Sequence, residues 1–355
     1  MEERLWIACR DGDIGEVIKS LQNSEININW QDSQYSRTAF YRACSYSGNS
    51  EIVKLLLNDE RVDVNKADID GVTPFYVACE CGHLGIMKLL LNDNRIDINK
   101  AENKKRNTPF YTACKYGHIE IVKLLLNDER VVDINRTNRD GWTPLWIACE
   151  NGHIETVKLL LNNKRVDINQ ANDNGSTPFY IACQKGQVEI VKIFLLNDSR
   201  VDINKASSVG DTPFYIACEN GHIETVKLLL NDKRVDIDKA LNNSTTPLWI
   251  ACANGCIEIV KLLLNDQRID LNKARSNGET PFLFACENGQ VEIVKLLLSD
   301  NRIDLNKRNY NGKTALDWAK KNGKTKIIEL IESFLKNPNE TRTKLKIELG
   351  LAGKF

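Results

Sequence analysis

One stretch of about twenty residues constrains this chain more than any other property, because the chain repeats it. Thr143-Pro-Leu-Trp-Ile-Ala-Cys-Glu-Asn-Gly-His-Ile-Glu-Thr-Val-Lys-Leu-Leu-Leu-Asn162 has near copies beginning at Thr73, Thr108, Thr177, Thr212, Thr246 and Thr280. Weaker copies begin at Thr38 and Thr314, with Thr-Ala in place of Thr-Pro, and one more contains Leu5-Trp-Ile-Ala-Cys9. That makes ten units, starting near 3, 38, 73, 108, 143, 177, 212, 246, 280 and 314, with threonine spacing of 34 or 35. A unit this short cannot bury its apolar face alone and must stack on its neighbours. The 355 residues, which otherwise suggest two or three globular domains, therefore read as one all-α solenoid over 1–334. A capping helix and short tail follow at 335–355.

Each unit reads as helix, turn, helix and extended loop. Thr is a good N-cap, and Pro suits the first helical turn, where its missing N–H costs nothing. The Ala-Cys pair keeps the first helix slim, and Gly (Gly82, Gly117, Gly152 and their equivalents) closes it in a left-handed cap. Ile-Glu-x-Val-Lys-Leu-Leu-Leu places apolar residues at helical spacing for the second helix. Asn-Asp stops it, and a tip rich in Asn, Asp and Gly supplies the turn. One-residue insertions mark the slack in the pattern: Ser47 in a helix–helix turn, the tip around Asn103–Arg106, Val131-Val132 and Leu195-Leu196.

The pattern resembles the ankyrin repeat. The family's Thr-Pro-Leu-His-x-Ala stands here as Thr143-Pro-Leu-Trp-Ile-Ala148 and Thr73-Pro-Phe-Tyr-Val-Ala78, and its Gly-His pair as Gly82-His83, Gly117-His118, Gly152-His153 and Gly221-His222. The resemblance covers roughly residues 3–334. It implies helix-turn-helix units with β-hairpin fingers, and a concave groove lined by finger tips and first helices. The family's His after Thr-Pro-Leu is aromatic here: Trp6, Tyr41, Tyr76, Tyr111, Trp146, Tyr180, Tyr215 and Trp249. The family's asparagine hydroxylation would fall on Asn99, Asn135, Asn169 and Asn204, although such asparagines also hold the finger turn.

Nine of the 11 cysteines recur every 34 or 35 residues, each after an alanine. Equivalent positions in stacked helices lie roughly 10 Å apart, too far for a disulfide. They read as reduced packing residues, which points to a cytoplasmic protein. Lys plus Arg equals Asp plus Glu at 48 each, so the basic surplus of a nucleic-acid binder is missing. No apolar run approaches a membrane span, and the acidic start Met1-Glu-Glu-Arg leads straight into repeat sequence, unlike a secretory signal.

Chemistry is not written into the repeats. Neither His-Glu-x-x-His nor a phosphate-loop motif occurs, and the four histidines all fill one slot that elsewhere holds Gln187, Cys256 and Gln290. Cys79-Glu-Cys81-Gly-His83 looks faintly metal-like, but adjacent ligands do not build a tetrahedral site. No catalytic residue, cofactor or metal is expected, and the chain reads as no enzyme.

What remains is a non-catalytic protein-binding scaffold or adaptor that uses its concave finger/first-helix surface. The partner is another protein of unknown identity; a monomer is expected, with no nucleic acid and no membrane insertion. The slots before Thr and after Ala-Cys vary between units while the framework does not. In the middle of the chain they gather the residue types of binding hot spots: Lys104, Lys105, Arg106, Lys115, Tyr116, Arg139, Trp142 and Glu150. Trp142 either meets a partner or lies flat on the next finger; Tyr111 and Trp146 read as packing. Alternatives are an inhibitory or targeting subunit of an enzyme, or a secreted pathogen or parasite effector that binds host proteins. At the far end, Asn337-Pro-Asn-Glu340 reads as N-cap, first-turn Pro and capping-box acid of a helix at about 338–349. Residues 336–355 hold five basic and two acidic residues; the helix is either a solvated cap or a docking site.

Overall fold

The computed structural model describes residues 1–45, 48–197 and 200–351. The insertion expected at Ser47 lies outside them. The chain divides into two compact units, Met1–Asp173 and Asn174–Phe355, each a stack of helix pairs.

In unit 1 the first helices are α1 (Glu2–Asp11), α3 (Ala39–Ser45), α5 (Pro74–Cys81), α7 (Pro109–Tyr116) and α9 (Pro144–Glu150). Their partners are α2 (Ile14–Leu21), α4 (Ser50–Leu57), α6 (Leu84–Leu91), α8 (Ile119–Asn127) and α10 (Ile154–Asn162). First helices pack on first helices and second on second, in chain order. Thr73, Thr108 and Thr143 accept from the backbone N–H three residues on, with Pro in the first turn. The Ala-Cys pairs are fully buried between helices. Leu56, Leu90, Leu125 and Leu160 are completely buried, each worth roughly 1.5–3 kcal/mol relative to an exposed side chain.

Unit 2 repeats this order. Its first helices are α11 (Pro178–Gln184), α13 (Pro213–Glu219), α15 (Pro247–Ala253), α17 (Pro281–Asn288) and α19 (Ala315–Lys321). Its second helices are α12 (Val188–Asn197), α14 (Ile223–Asn231), α16 (Ile257–Leu264), α18 (Val291–Ser299) and α20 (Thr325–Lys336), followed by α21 (Pro338–Glu348). The Leu195-Leu196 insertion is absorbed within α12 and leaves Leu196 exposed, as the Val131-Val132 insertion leaves Val132 exposed in unit 1.

α21 packs against α18 and α20. It buries Thr341 and Leu345, and Glu348 pairs with Lys295 at 2.7 Å. Leu296 and Leu298 of α18 are fully buried, whereas Leu262, one unit earlier, stays half-buried. Asn337 makes no side-chain cap bond and Glu340 pairs with Lys344 instead. Asn337 is the whole link between two helices, and its backbone N–H already caps α20 through Ser333.

The fingers are tight hydrogen-bonded turns. Among the described residues the one β feature is an isolated antiparallel bridge between Gln31 and Thr38. Two side-chain ladders join consecutive units. In Asp-x-Arg, the aspartate grips the arginine, which reaches back to the last turn of the preceding second helix: Arg95 to Leu57 O and Arg130 to Leu91 O in unit 1, Arg268 to Leu230 O and Arg302 to Leu264 O in unit 2. These bonds satisfy helix-end carbonyls that have no intrahelical donor. In the second ladder, Asn65 donates to Arg95 O at 2.6 Å and accepts from Asp97 N at 2.8 Å. Asn29, Asn135, Asn204 and Asn272 do the same in their units.

Candidate functional site

All eight residues singled out from the sequence lie in unit 1. They stand on two fingers, on the carboxyl end of α7 and at the end of α9. Each finger folds because one side-chain oxygen collects backbone N–H groups, a turn device of short polar side chains. Asp68 accepts from Asp70 and Val72, and Asn138 accepts from Asp140 and Trp142, all at 3.0 Å. The finger between them is one residue longer, and a longer side chain does the work. Glu102 is buried and accepts from Lys104 at 2.6 Å and from Lys105 and Asn107 at 2.9 Å.

The extra length changes what the tip displays. Arg106 occupies the place of Gly71 and Gly141 and adopts their left-handed backbone, with φ of 59°. A non-glycine residue is strained there by about 1 kcal/mol. The neighbouring lysines are tied down: Lys104 Nζ pairs with Asp70 at 2.8 Å and Lys105 Nζ with Asp140 at 3.0 Å. These pairs run from finger to finger, as do the backbone bonds from Asn103 N to Asp70 O and from Arg139 N to Lys105 O.

The expected cluster thus separates into parts. Arg106 and Arg139 come together, lining an open recess of about 620 Å³ beside the fingers. Trp142 is half-buried and lies flat on Trp146 of α9. Tyr116, at the end of α7, is 44 % exposed. Lys115 Nζ lies 5.1 Å from its ring centroid, a cation–π contact. Glu150, half-buried, ends α9.

The slots read as structural do bind their neighbours. His83, His118 and His153 donate from Nε2 to carbonyls of the preceding unit, at Ser45, Glu80 and Lys115, over 2.8–2.9 Å. The aromatic slot also bonds between units: Trp6 donates to Arg37 O at 3.0 Å, Thr112 to the Tyr76 hydroxyl at 2.8 Å, and Tyr180 in unit 2 to Asp211. Tyr111 and Trp146 are buried.

The repeat sequence matches a known family. The sequence model described as ankyrin repeats in three copies matches residues 5–102, 63–137, 110–207, 194–275 and 267–341. The chain is an ankyrin-repeat protein. Among solved structures it is similar to the ankyrin repeat domain of Bcl-3, titled a unique member of the IkappaB protein family, at 23% identity and a TM-score of 0.59. That likeness covers 64% of this chain and all of the other and concerns the fold. No curated protein matches the sequence. Ankyrin repeats are in general non-enzymatic protein–protein interaction modules. Among the described residues of this ankyrin-repeat protein, no three His, Cys, Asp or Glu are placed to hold a metal, and no helix is long and apolar enough to cross a membrane.

Two features were missed in the sequence. Lys100 and Arg136 line the same recess as Arg106 and Arg139; they precede the tips, outside the slots that vary before Thr and after Ala-Cys. In unit 2, the exposed cations near the chain end sit mainly on the last repeat, at Lys307, Arg308, Lys313, Lys321 and Lys326. Of the cations in the surplus expected over 336–355, Lys336 and Lys344 are exposed, Lys344 pairing with Glu340, Arg342 lies over Phe334, and Lys354 lies outside the described residues.

Proposed function

We propose that this ankyrin-repeat protein is a non-catalytic scaffold or adaptor that binds another protein through the finger and first-helix face of unit 1. One observation carries the reading. Between a buried, hydrogen-bonded framework, the chain exposes Arg106, Arg139 and Tyr116 on neighbouring units, and exposed Arg and Tyr are the residue types on which binding energy concentrates. The finger bonds hold these side chains on a rigid frame, which lowers the ordering cost of association. A monomer in the cytoplasm fits the eleven cysteines, all free.

Affinity capture from a lysate tests the proposal, comparing the natural chain with the Tyr116→Ala/Arg139→Ala variant. A protein retained by the first and lost by the second supports it. Equal retention by both moves the site elsewhere, and no specific retention by either contradicts the binding role.

A further inference from the structure

We infer that the recess beside the fingers of unit 1 takes an acidic segment of the protein partner, in extended conformation, with carboxylates three residues apart. The inference rests on the protein-binding reading and adds the chemistry of what is bound.

Lys100, Arg106, Arg136 and Arg139 line the recess and are all exposed. Among the described residues none of the four has a carboxylate within ion-pair distance, and the one bond of these side chains is from Arg139 to Asn103 O at 3.4 Å. The Asp-x-Arg arginines of the fold differ: Arg61, Arg95, Arg130, Arg234 and Arg268 are each gripped by an aspartate two residues before them, whereas Arg165 and Arg308 reach only backbone carbonyls. The wall contains two acids, Glu102 buried in its finger and Asp97 exposed beside it. Glu102 is held by backbone N–H groups of its finger, and Asp97 accepts from Asn99 N at 3.0 Å. Four cations against two engaged acids leave the recess positive.

Arg106 adds an independent observation. Glycine stands at this place in the adjacent fingers, at Gly71 and Gly141, and would relieve the left-handed backbone. Two other fingers keep a left-handed serine at this place, Ser36 and Ser244; here the strained residue carries a guanidinium, which points to a use for the side chain.

Guanidinium groups bind carboxylates through paired, planar hydrogen bonds. Stacked units place side chains of successive fingers roughly 10 Å apart, and an extended chain advances about 3.3 Å per residue. Three residues span that distance, so acidic residues at every third position meet successive fingers. A single phosphate concentrates its charge at one point and reaches one finger.

The full chain is titrated against a fluorescein-labelled nonapeptide of Glu-Gly-Gly repeats, with a Gln-Gly-Gly peptide as control, and anisotropy is read at low and physiological salt. Saturable binding of the Glu peptide alone is expected. Arg136→Gln/Arg139→Gln should weaken it roughly tenfold or more. Arg106→Gly should weaken it several-fold while raising Tm, opposite signs that a merely structural arginine would not give. Absent binding, or equal binding by these folded variants, overturns the inference. So does tighter binding of a phosphoserine peptide or a single-stranded oligonucleotide that loses affinity in the same variants. A partner captured from lysate that the Glu peptide does not displace removes this inference and leaves the binding role standing; peptide binding with no partner captured does the reverse.

Discussion

Trp142 lies flat on Trp146, with ring centroids 4.8 Å apart and planes inclined by 12°. The lower ring is buried in α9, so the upper one roofs the core while its other face stays in reach of solvent. Such a pair contributes about 0.5–1.5 kcal/mol beyond the area it buries. Trp142→Ala is therefore expected to lower the unfolding free energy by at least that much, and the urea midpoint with it, whereas Arg139→Ala should stay within about 0.5 kcal/mol of the natural chain. An unchanged midpoint for Trp142→Ala would show that the stack holds nothing together.

The asparagine ladder gives a second expectation. Asn65 uses its amide N–H on Arg95 O and its amide oxygen on Asp97 N. Asn65→Ala leaves both backbone partners short of a bond, a loss of about 2 kcal/mol, while Asn103→Ala at an exposed tip should cost far less. Equilibrium unfolding of the two variants side by side checks the difference.

One rung of that ladder in unit 2 is an acid. Asp238 stands where Asn204 and Asn272 stand in the units around it, and it cannot donate when ionised. Lys273 Nζ meets it at 3.0 Å, yet Oδ1 is buried with no hydrogen-bond partner. Burial raises its pKa above the ordinary value. A carboxyl whose folded pKa is raised favours folding below its unfolded pKa, and that stability is lost as pH rises through the folded value. Asp238→Asn should therefore be more stable than the natural chain at pH 7, by about 1 kcal/mol, with the gain shrinking as pH falls toward 4. A pH-independent difference would contradict this. Asp93, Asp128 and Asp266 shift the other way, because hydrogen bonds from their arginines lower their pKa; their stabilisation is present above the unfolded pKa and fades as pH falls through the folded one.

Thiol chemistry supplies a fourth check. Nine cysteines are buried, Cys81 is exposed and Cys256 is half-exposed. Burial pushes the others away from the reactive thiolate, Cys9 to about 12. A disulfide-exchange reagent should titrate two thiols in the native chain and all 11 in denaturant. Rapid native reaction at more than two would mean that the stack opens.

The repeat itself was fully legible, because its signals are local. Thr143 before Pro144 specifies an N-cap and a first turn, and the recurring Ala-Cys pair specifies close helix packing. The site was only partly legible, because side-chain pairing across units is not local. Lys104 and Lys105 counted as free charges until the stack brought Asp70 and Asp140 to them. The signal was available at the repeat spacing: acids stand 34 residues before Lys104 and 35 after Lys105, whereas Arg106 faces Gly71 and Gly141 at 35 residues. Trp142 was left open between partner contact and packing on the next finger; its stack on Trp146 depends on a rotamer that only the packed unit selects. α21 was visible from its Pro338 start, but the loss of its Asn337 cap bond follows from a one-residue link to α20.

The binding surface is tested most directly by hydrogen–deuterium exchange of the full chain, alone and with a protein captured from lysate. Protection is expected in the fingers at 100–107 and 136–142 and around Tyr116, with the second helices α4, α6, α8 and α10 unchanged. Protection confined to those second helices or to unit 2, with the unit 1 fingers exchanging as freely as before, would contradict the assignment.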